Sequence, residues 1–149
     1  DVNAHPHYSF HRKLAIIHNG IIENYAAIKE TLLRKGHTFA SQTDTEVLGQ
    51  FIEDIWEHNG GTLEEAVRLA LQEVVGAYAI VVMAEGESRQ LVAARKGSPL
   101  VIGVGENEYF LASDATPIVE YTKDVVYLND YEIALIKDGE LTIRNLDQT

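Results

Sequence analysis

The chain has 149 residues, the length of one domain with a hydrophobic core of its own. Its 23 acidic and 12 basic residues give a net charge of −11 without a basic cluster, so we expect no binding to nucleic acid. No apolar run approaches the ~18–20 residues of a membrane span, and no membrane association is expected. The 149 residues contain no cysteine, which fits a reducing compartment, and we expect a cytoplasmic location.

The start of the chain predicts a strand, a turn and a helix. Residues 14–17 form a short apolar run rich in β-branched side chains, which is typical of a strand. The Asn-Gly pair at 19–20 predicts a tight turn directly after it. Asn24 is a candidate cap for a helix over residues 25–35, which Gly36 would end.

Two capping boxes predict two further helices. In this motif a Thr hydroxyl accepts a bond from the third helical amide, and a Glu three residues later reaches back towards the Thr. The boxes are Thr43–Glu46 and Thr62–Glu65. They predict one helix from residue 44 to about residue 58 and another from residue 63, each with one apolar face.

The second half of the chain has the pattern of an antiparallel sheet. Residues 77–83 are nearly all apolar and predict a strand covered on both faces. Further strands are predicted over residues 90–95, 100–104, 108–111, 125–128, 132–137 and 140–145, with a short helical turn within 114–121. An Asp-Gly hairpin turn is expected between the last two strands. This order predicts an α+β fold with helices packed against a sheet.

Asn19, Gly20 and Asp44 are candidates for a catalytic site. An Asn amide and the N–H of a following Gly can converge on one point as an oxyanion hole, although from the pair alone an ordinary turn is the more common explanation. Asp44 lies in a first helical turn, where the macrodipole favours a carboxylate by ~0.3–1 kcal/mol. Such a carboxylate can hold a substrate ammonium, and the alternative is plain helix-start chemistry.

The histidines give weaker signals. His5 and His7, with His11 nearby, have the spacing of metal ligands, but no Cys, Asp or Glu nearby completes the set, and we expect no metal. His18 ends a buried run, where a structural histidine is more common than a base. A P-loop and a complete dinucleotide-binding glycine motif are both missing from the sequence, and we expect no cofactor.

Taken in order, several segments resemble the glutaminase (class II glutamine amidotransferase) domain of the glutamine–fructose-6-phosphate aminotransferase (glucosamine-6-phosphate synthase) family. These segments are 3–7 (NAHPH), 18–25 (HNGIIENY), 43–47 (TDTEV), 76–79 (GAYA), 95–103 (RKGSPLVIG), 112–114 (ASD) and 127–130 (YLND). The resemblance covers essentially all of residues 1–149, and an ordered series of this kind is far more specific than one motif.

The resemblance implies a fold and a set of roles. The fold would be the N-terminal-nucleophile hydrolase sandwich, two antiparallel sheets between helical layers. Asn19 and Gly20 would form the oxyanion hole, and Asp44 would bind the α-ammonium of L-glutamine. His5 and His18 would border the site without a catalytic role. An N-terminal Cys would be the nucleophile in this family.

Because residues 1–149 lack that Cys, the resemblance implies an N-terminally truncated, partial domain that is inactive alone. The sugar-isomerase domains that use the released ammonia would be its partners. Open strand edges could also favour association into a homo-oligomer.

Two alternatives stay open. The domain could belong to another class II amidotransferase, of the amidophosphoribosyltransferase or asparagine synthetase type. It could also be a non-catalytic module that binds an amino acid through Asp44.

Overall fold

The computed structural model describes residues 7–8, 14–84, 90–105, 108–112 and 124–146. Within these segments the strands are β1 His7–Tyr8, β2 Leu14–Ile22, β3 Gly76–Ala84, β4 Gln90–Lys96, β5 Val101–Gly105, β6 Glu108–Ala112, β7 Val125–Tyr127, β8 Glu132–Lys137 and β9 Glu140–Asn145. The helices are α1 Tyr25–Arg34, α2 Asp44–Asn59 and α3 Leu63–Gln72. The helix over 114–121 that the sequence predicts lies outside the described residues.

The strands form two antiparallel sheets. The larger sheet has the order β1-β2-β3-β4-β8-β9, and the smaller one has the order β6-β5-β7. Every neighbouring pair is antiparallel. The three helices cover one face of the larger sheet, and the smaller sheet covers part of its other face. The prediction of an α+β fold with helices against a sheet is therefore confirmed.

The larger of two cores lies between the helices and the six-stranded sheet. Its fully buried side chains alternate along the strands and recur at helical spacing in the helices. They include Leu14, Ile16, Ile22, Leu32, Leu48, Ile52, Leu63, Val67, Tyr78, Ile80, Val82, Val92 and Ile133. Full burial of one such aliphatic side chain stabilises the fold by roughly 1.5–3 kcal/mol.

The second core lies between the two sheets. It uses the opposite face of the same central strands, with Ala79, Val81 and Ala93, and meets Ile102 and Leu128 from the smaller sheet and its flank. Strand β3 is thus covered on both faces, as its nearly continuous apolar sequence predicts.

At three helix ends the predicted local signal is found, and at the two capping boxes it is the threonine half of the box. Thr43 and Thr62 each accept a bond from the third helical amide, at 3.3 and 3.1 Å. At the end of α1, the N–H groups of Gly36 and His37 donate to Leu33 and Leu32, which is a Schellman motif. These ends form where expected because their signals are local.

Two local predictions are wrong. Residues 19–20 are not a tight turn, because β2 continues through them to Ile22 and pairs with β3 along its whole length. Asn24 stands at the cap position of α1, but its side chain makes no capping bond. It instead donates to the carbonyl of Glu73 at 2.8 Å and accepts from the N–H of Val75 at 3.0 Å.

The predicted hairpin is confirmed. Asp138 and Gly139 connect β8 to β9, and both have positive φ, 52° and 79°, as a type I′ turn requires. In the described part of the chain, no helix combines the length and the apolar character needed to cross a bilayer.

Candidate functional site

Asn19 projects from β2 into a cavity between the two sheets. The cavity has a volume of about 360 Å³, and its other lining residues are Ile17, Ala79, Val81, Met83, Leu91, Pro99, Leu100, Leu111 and Ala112. Asn19 is exposed and carries the only polar side chain among these described lining residues. None of the residues that the structure describes hydrogen-bonds to its amide. An apolar cavity with one amide donor on its wall suits a ligand with a localised negative charge or carbonyl.

Gly20 departs from regular strand geometry although it pairs within the ladder. Its φ is +119°, and a Cβ at this position would lie 2.3 Å from the carbonyl oxygen of Ala77 on β3. No side chain fits there, because backbone would have to move and because L residues rarely adopt this φ. The strand therefore requires glycine beside Asn19 for its own packing, independently of any catalytic use.

Asp44 is the first residue of α2 and contacts the far end of β2. Its Oδ2 atom accepts a bond of 2.9 Å from the N–H of Ile22, two residues after Gly20. The carboxylate is half-buried. Among the described residues, Ile22 is the one hydrogen-bond donor to this carboxylate. Asp44 does not line the cavity that contains Asn19.

His18 points to the opposite face of β2 from Asn19, as strand alternation requires. Its side chain is buried, and its Nδ1 atom lies 3.1 Å from the hydroxyl of Thr45 on α2. The sequence left His18 between a base and a structural histidine. The contact with Thr45 explains it as a link between strand and helix.

The structure therefore brings three of the five expected site residues to one end of β2. Asn19 and Gly20 lie on that strand, and Asp44 is hydrogen-bonded to it. His18 neighbours them in sequence but faces the helices. His5 lies outside the described residues. No cluster of three potential metal ligands occurs within the described ranges.

In the sequence, Thr45 stands out only as a member of the segment 43–47 (TDTEV). Alternation along β2 gives the one available signal, since it places His18 and Asn19 on opposite faces. That pattern indicates that His18 needs a polar partner in the helical layer, but it cannot say which residue provides it.

Comparison with solved structures defines the class of fold. Glutamine phosphoribosylpyrophosphate amidotransferase from B. subtilis superposes with a TM-score of 0.74 over 91% of this chain and 30% of that chain, at 27% sequence identity. A glutamine aminotransferase class-II domain protein from Silicibacter pomeroyi covers 90% of this chain and 68% of its own, with a TM-score of 0.64. At 19% identity, the second likeness concerns the fold alone. The fold is the sandwich of the N-terminal-nucleophile hydrolases, as found in class II glutamine amidotransferases.

The family follows from the sequence match. A family model described as "Glutamine amidotransferase domain" matches residues 2–120, and the chain belongs to that family. The chain is also 62% identical, over 139 residues, to a glutamine–fructose-6-phosphate aminotransferase (isomerizing) of Bacteroides thetaiotaomicron. The match covers 93% of the chain but 23% of that relative, so the chain spans about a quarter of the curated relatives' length.

Proposed function

We propose that this domain takes part in the hydrolysis of L-glutamine, with Asn19 and Gly20 stabilising the oxyanion and Asp44 holding the substrate ammonium. The observation that carries the proposal is the position of Asn19. Among the described residues that line the cavity between the sheets, Asn19 has the one polar side chain, and no described residue hydrogen-bonds to its amide. Gly20 follows it directly in the strand, and the Asp44 carboxylate is hydrogen-bonded to that strand two residues further on.

The chemistry that these groups support is acyl transfer. When a nucleophile attacks the side-chain amide carbon of glutamine, the carbonyl oxygen becomes an oxyanion. As that oxyanion collapses, the C–N bond breaks and the nitrogen, which takes up the proton released by the nucleophile, leaves as ammonia. Water then hydrolyses the acyl intermediate to glutamate. The Asn19 amide and the Gly20 N–H would donate to the oxyanion, where one such donor is typically worth ~2.7–4 kcal/mol of transition-state stabilisation. Residues 1–149 contain no cysteine, so a thiol nucleophile would have to come from outside them.

The Asp44 carboxylate is a suitable partner for the substrate ammonium because it is negatively charged and already held in place. It begins α2, and the Ile22 N–H restrains one of its two carboxylate oxygens. A carboxylate fixed in this way loses little side-chain entropy when it accepts a charge-assisted bond from an ammonium group.

The proposed acceptor of the ammonia is fructose 6-phosphate, supplied to sugar-isomerase domains of the same protein. The 62% identity to a glutamine–fructose-6-phosphate aminotransferase supports this choice. The 27% identity to the phosphoribosylpyrophosphate enzyme makes that acceptor the second candidate. A cytoplasmic location and a homo-oligomeric state stay predictions.

The test uses the full-length product of the gene that encodes this chain. Asn19→Ala should lower kcat for glutamine hydrolysis roughly 10²–10³-fold with a smaller effect on KM. Asp44→Asn should mainly raise KM for glutamine, because it removes ground-state binding. Asn59→Ala, at the exposed end of α2, serves as the matched control and should change neither constant.

The outcomes separate the alternatives. An unchanged kcat for Asn19→Ala contradicts the oxyanion assignment, and an unchanged KM for Asp44→Asn contradicts the ammonium contact. Formation of glucosamine 6-phosphate, rather than phosphoribosylamine, from glutamine and the matching sugar phosphate supports the fructose 6-phosphate acceptor. Glutamine binding without any turnover by the wild-type protein would favour a non-catalytic binding module.

A further inference from the structure

Helix α2 is attached to β2 at three successive points. Asp44 accepts from the N–H of Ile22, and Thr45 hydrogen-bonds to His18. One turn later Gly49 lies so close to Ile16 that a Cβ on the glycine would come within 2.9 Å of its side chain. As the helix advances from 44 to 49, its contacts move backwards along the strand from 22 to 16. The helix therefore runs antiparallel to β2 in close contact with it.

The contact between Thr45 and His18 differs from the other two in joining two buried side chains. Thr45 is 3% exposed and His18 is 6% exposed, and their polar atoms are 3.1 Å apart. A buried bond between side chains is short-ranged and directional, so its loss leaves polar groups that water cannot easily satisfy. We therefore expect this bond to set the distance between α2 and β2 at the position of His18.

The same bond is flanked in sequence by the proposed functional residues. His18 directly precedes Asn19 and Gly20, and Thr45 directly follows Asp44. Any displacement of the His18 backbone therefore moves the oxyanion donors, and any displacement of Thr45 moves the ammonium-binding carboxylate. Reacting groups must be held closely, since a misplacement of about 1 Å can lower the rate ~10²-fold.

We infer that Thr45 is a positioning residue, which sets the distance between the Asp44 carboxylate and the Asn19–Gly20 pair through its hydrogen bond to His18. This inference rests on the proposed function. It adds that the two halves of the site, on a helix and on a strand, are aligned by a bond that touches neither the substrate nor the reacting atoms.

The experiment measures glutamine hydrolysis by the full-length gene product carrying Thr45→Val, which removes the hydroxyl and keeps the branched shape. We expect kcat/KM for glutamine to fall about 10- to 100-fold, with a rise in KM as part of that loss. Thr45→Ser keeps a hydroxyl and should restore most of the activity. Thr31→Val is the matched control, because the Thr31 hydroxyl bonds only to a helix carbonyl on the exposed side of α1.

A double-mutant cycle separates positioning from general stabilisation. If Thr45 acts through Asp44, the rise in KM caused by Thr45→Val should disappear in an Asp44→Asn background. A purely structural Thr45 would lower the melting temperature and leave the KM of the folded enzyme unchanged. If Thr45→Val does not fold, Thr45→Ala takes its place in the same cycle.

The failures are distinguishable. A raised KM for Asp44→Asn together with an unchanged KM for Thr45→Val overturns the positioning role and leaves the proposed function standing. A rise in KM that persists in the Asp44→Asn background also overturns the positioning role. An unchanged KM for Asp44→Asn itself overturns both the positioning role of Thr45 and the ammonium-binding role of Asp44, and the oxyanion assignment then depends on Asn19→Ala alone.

Discussion

At the scale of single residues, Glu46 makes hydrogen bonds beyond those of its own capping motif. It is the third residue of α2, where its backbone N–H donates to the Thr43 hydroxyl and forms one half of the capping box. Its buried carboxylate also accepts bonds from the N–H of Ala40, the N–H and hydroxyl of Ser41, and the amide of Gln50. This one side chain therefore fixes the loop that leads into α2 and hence the start of the helix that carries Asp44.

We predict that Glu46→Gln destabilises the protein by about 1–3 kcal/mol. A Gln side chain replaces one acceptor oxygen with an NH₂ group, which would face N–H or O–H donors that the carboxylate now satisfies. Glu65→Gln is the control, because Glu65 is also the third residue of a capped helix but is exposed. It should change the free energy of unfolding by no more than about 0.5 kcal/mol. Urea denaturation measures both, and equal effects would contradict the account.

Among the elements, the start of α1 is linked to the far end of α3 by a side chain. Asn24 donates to the carbonyl of Glu73 and accepts from the N–H of Val75, residues 49 and 51 positions away. A third bond, from the N–H of Glu23 to the carbonyl of Val75, lies beside them. The connection from α3 into β3 is therefore held against the connection from β2 into α1.

Asn24→Ala should cost roughly 1–3 kcal/mol, since it removes two hydrogen bonds of about 0.5–1.5 kcal/mol each. The loss should be local. Amide hydrogen exchange at Val75 should accelerate by more than exchange in the interior of β3, because Val75 loses its acceptor while the ladder stays intact. Asn59→Ala provides the comparison and should leave exchange at Val75 unchanged. Uniform acceleration along β3 would show that Asn24 supports the whole fold instead.

At the scale of the whole molecule, two cores share one set of central strands. The helical core and the inter-sheet core lie on opposite faces of β3 and β4. Because β3, β4 and β8 each contribute buried side chains to both cores, the two cores should unfold in one transition. Trp56, the single tryptophan of the chain, packs against the helical core and reports on that side.

Ile102→Ala tests this coupling. Ile102 is fully buried between the sheets, and its truncation should cost about 2–5 kcal/mol. In the 149-residue chain, the Trp56 fluorescence transition in urea should shift by the same amount as the circular dichroism transition. Ile21→Ala, at a position on β2 that is 70% exposed, is the control and should shift neither by more than about 0.5 kcal/mol. A Trp56 transition that stays in place would mean that the two cores unfold separately.

Much of the fold could be predicted from the sequence because its signals are local. The capping boxes at Thr43 and Thr62, the glycine stop of α1 and the Asp-Gly hairpin each depend on residues within one or two turns of chain. Alternating and continuous apolar runs likewise predicted where strands lie, and the continuous run of β3 predicted that this strand is covered on both faces. Asn19, Gly20 and Asp44 were singled out by residue chemistry and by an ordered resemblance, and their roles stay proposals.

Only the tertiary structure decided how those residues are placed. The Asn-Gly pair reads locally as a turn, but nine consecutive pairings with β3 keep it within a strand, and glycine is required there because the Ala77 carbonyl lies too close for a side chain. The Asn24 side chain likewise bonds to the backbone of Glu73 and Val75, far along the chain, instead of capping its own helix. The bond between Thr45 and His18 joins residues 27 positions apart. Contacts of this kind arise only when helix and sheet pack, because a local pattern does not specify which distant group will satisfy a buried polar atom.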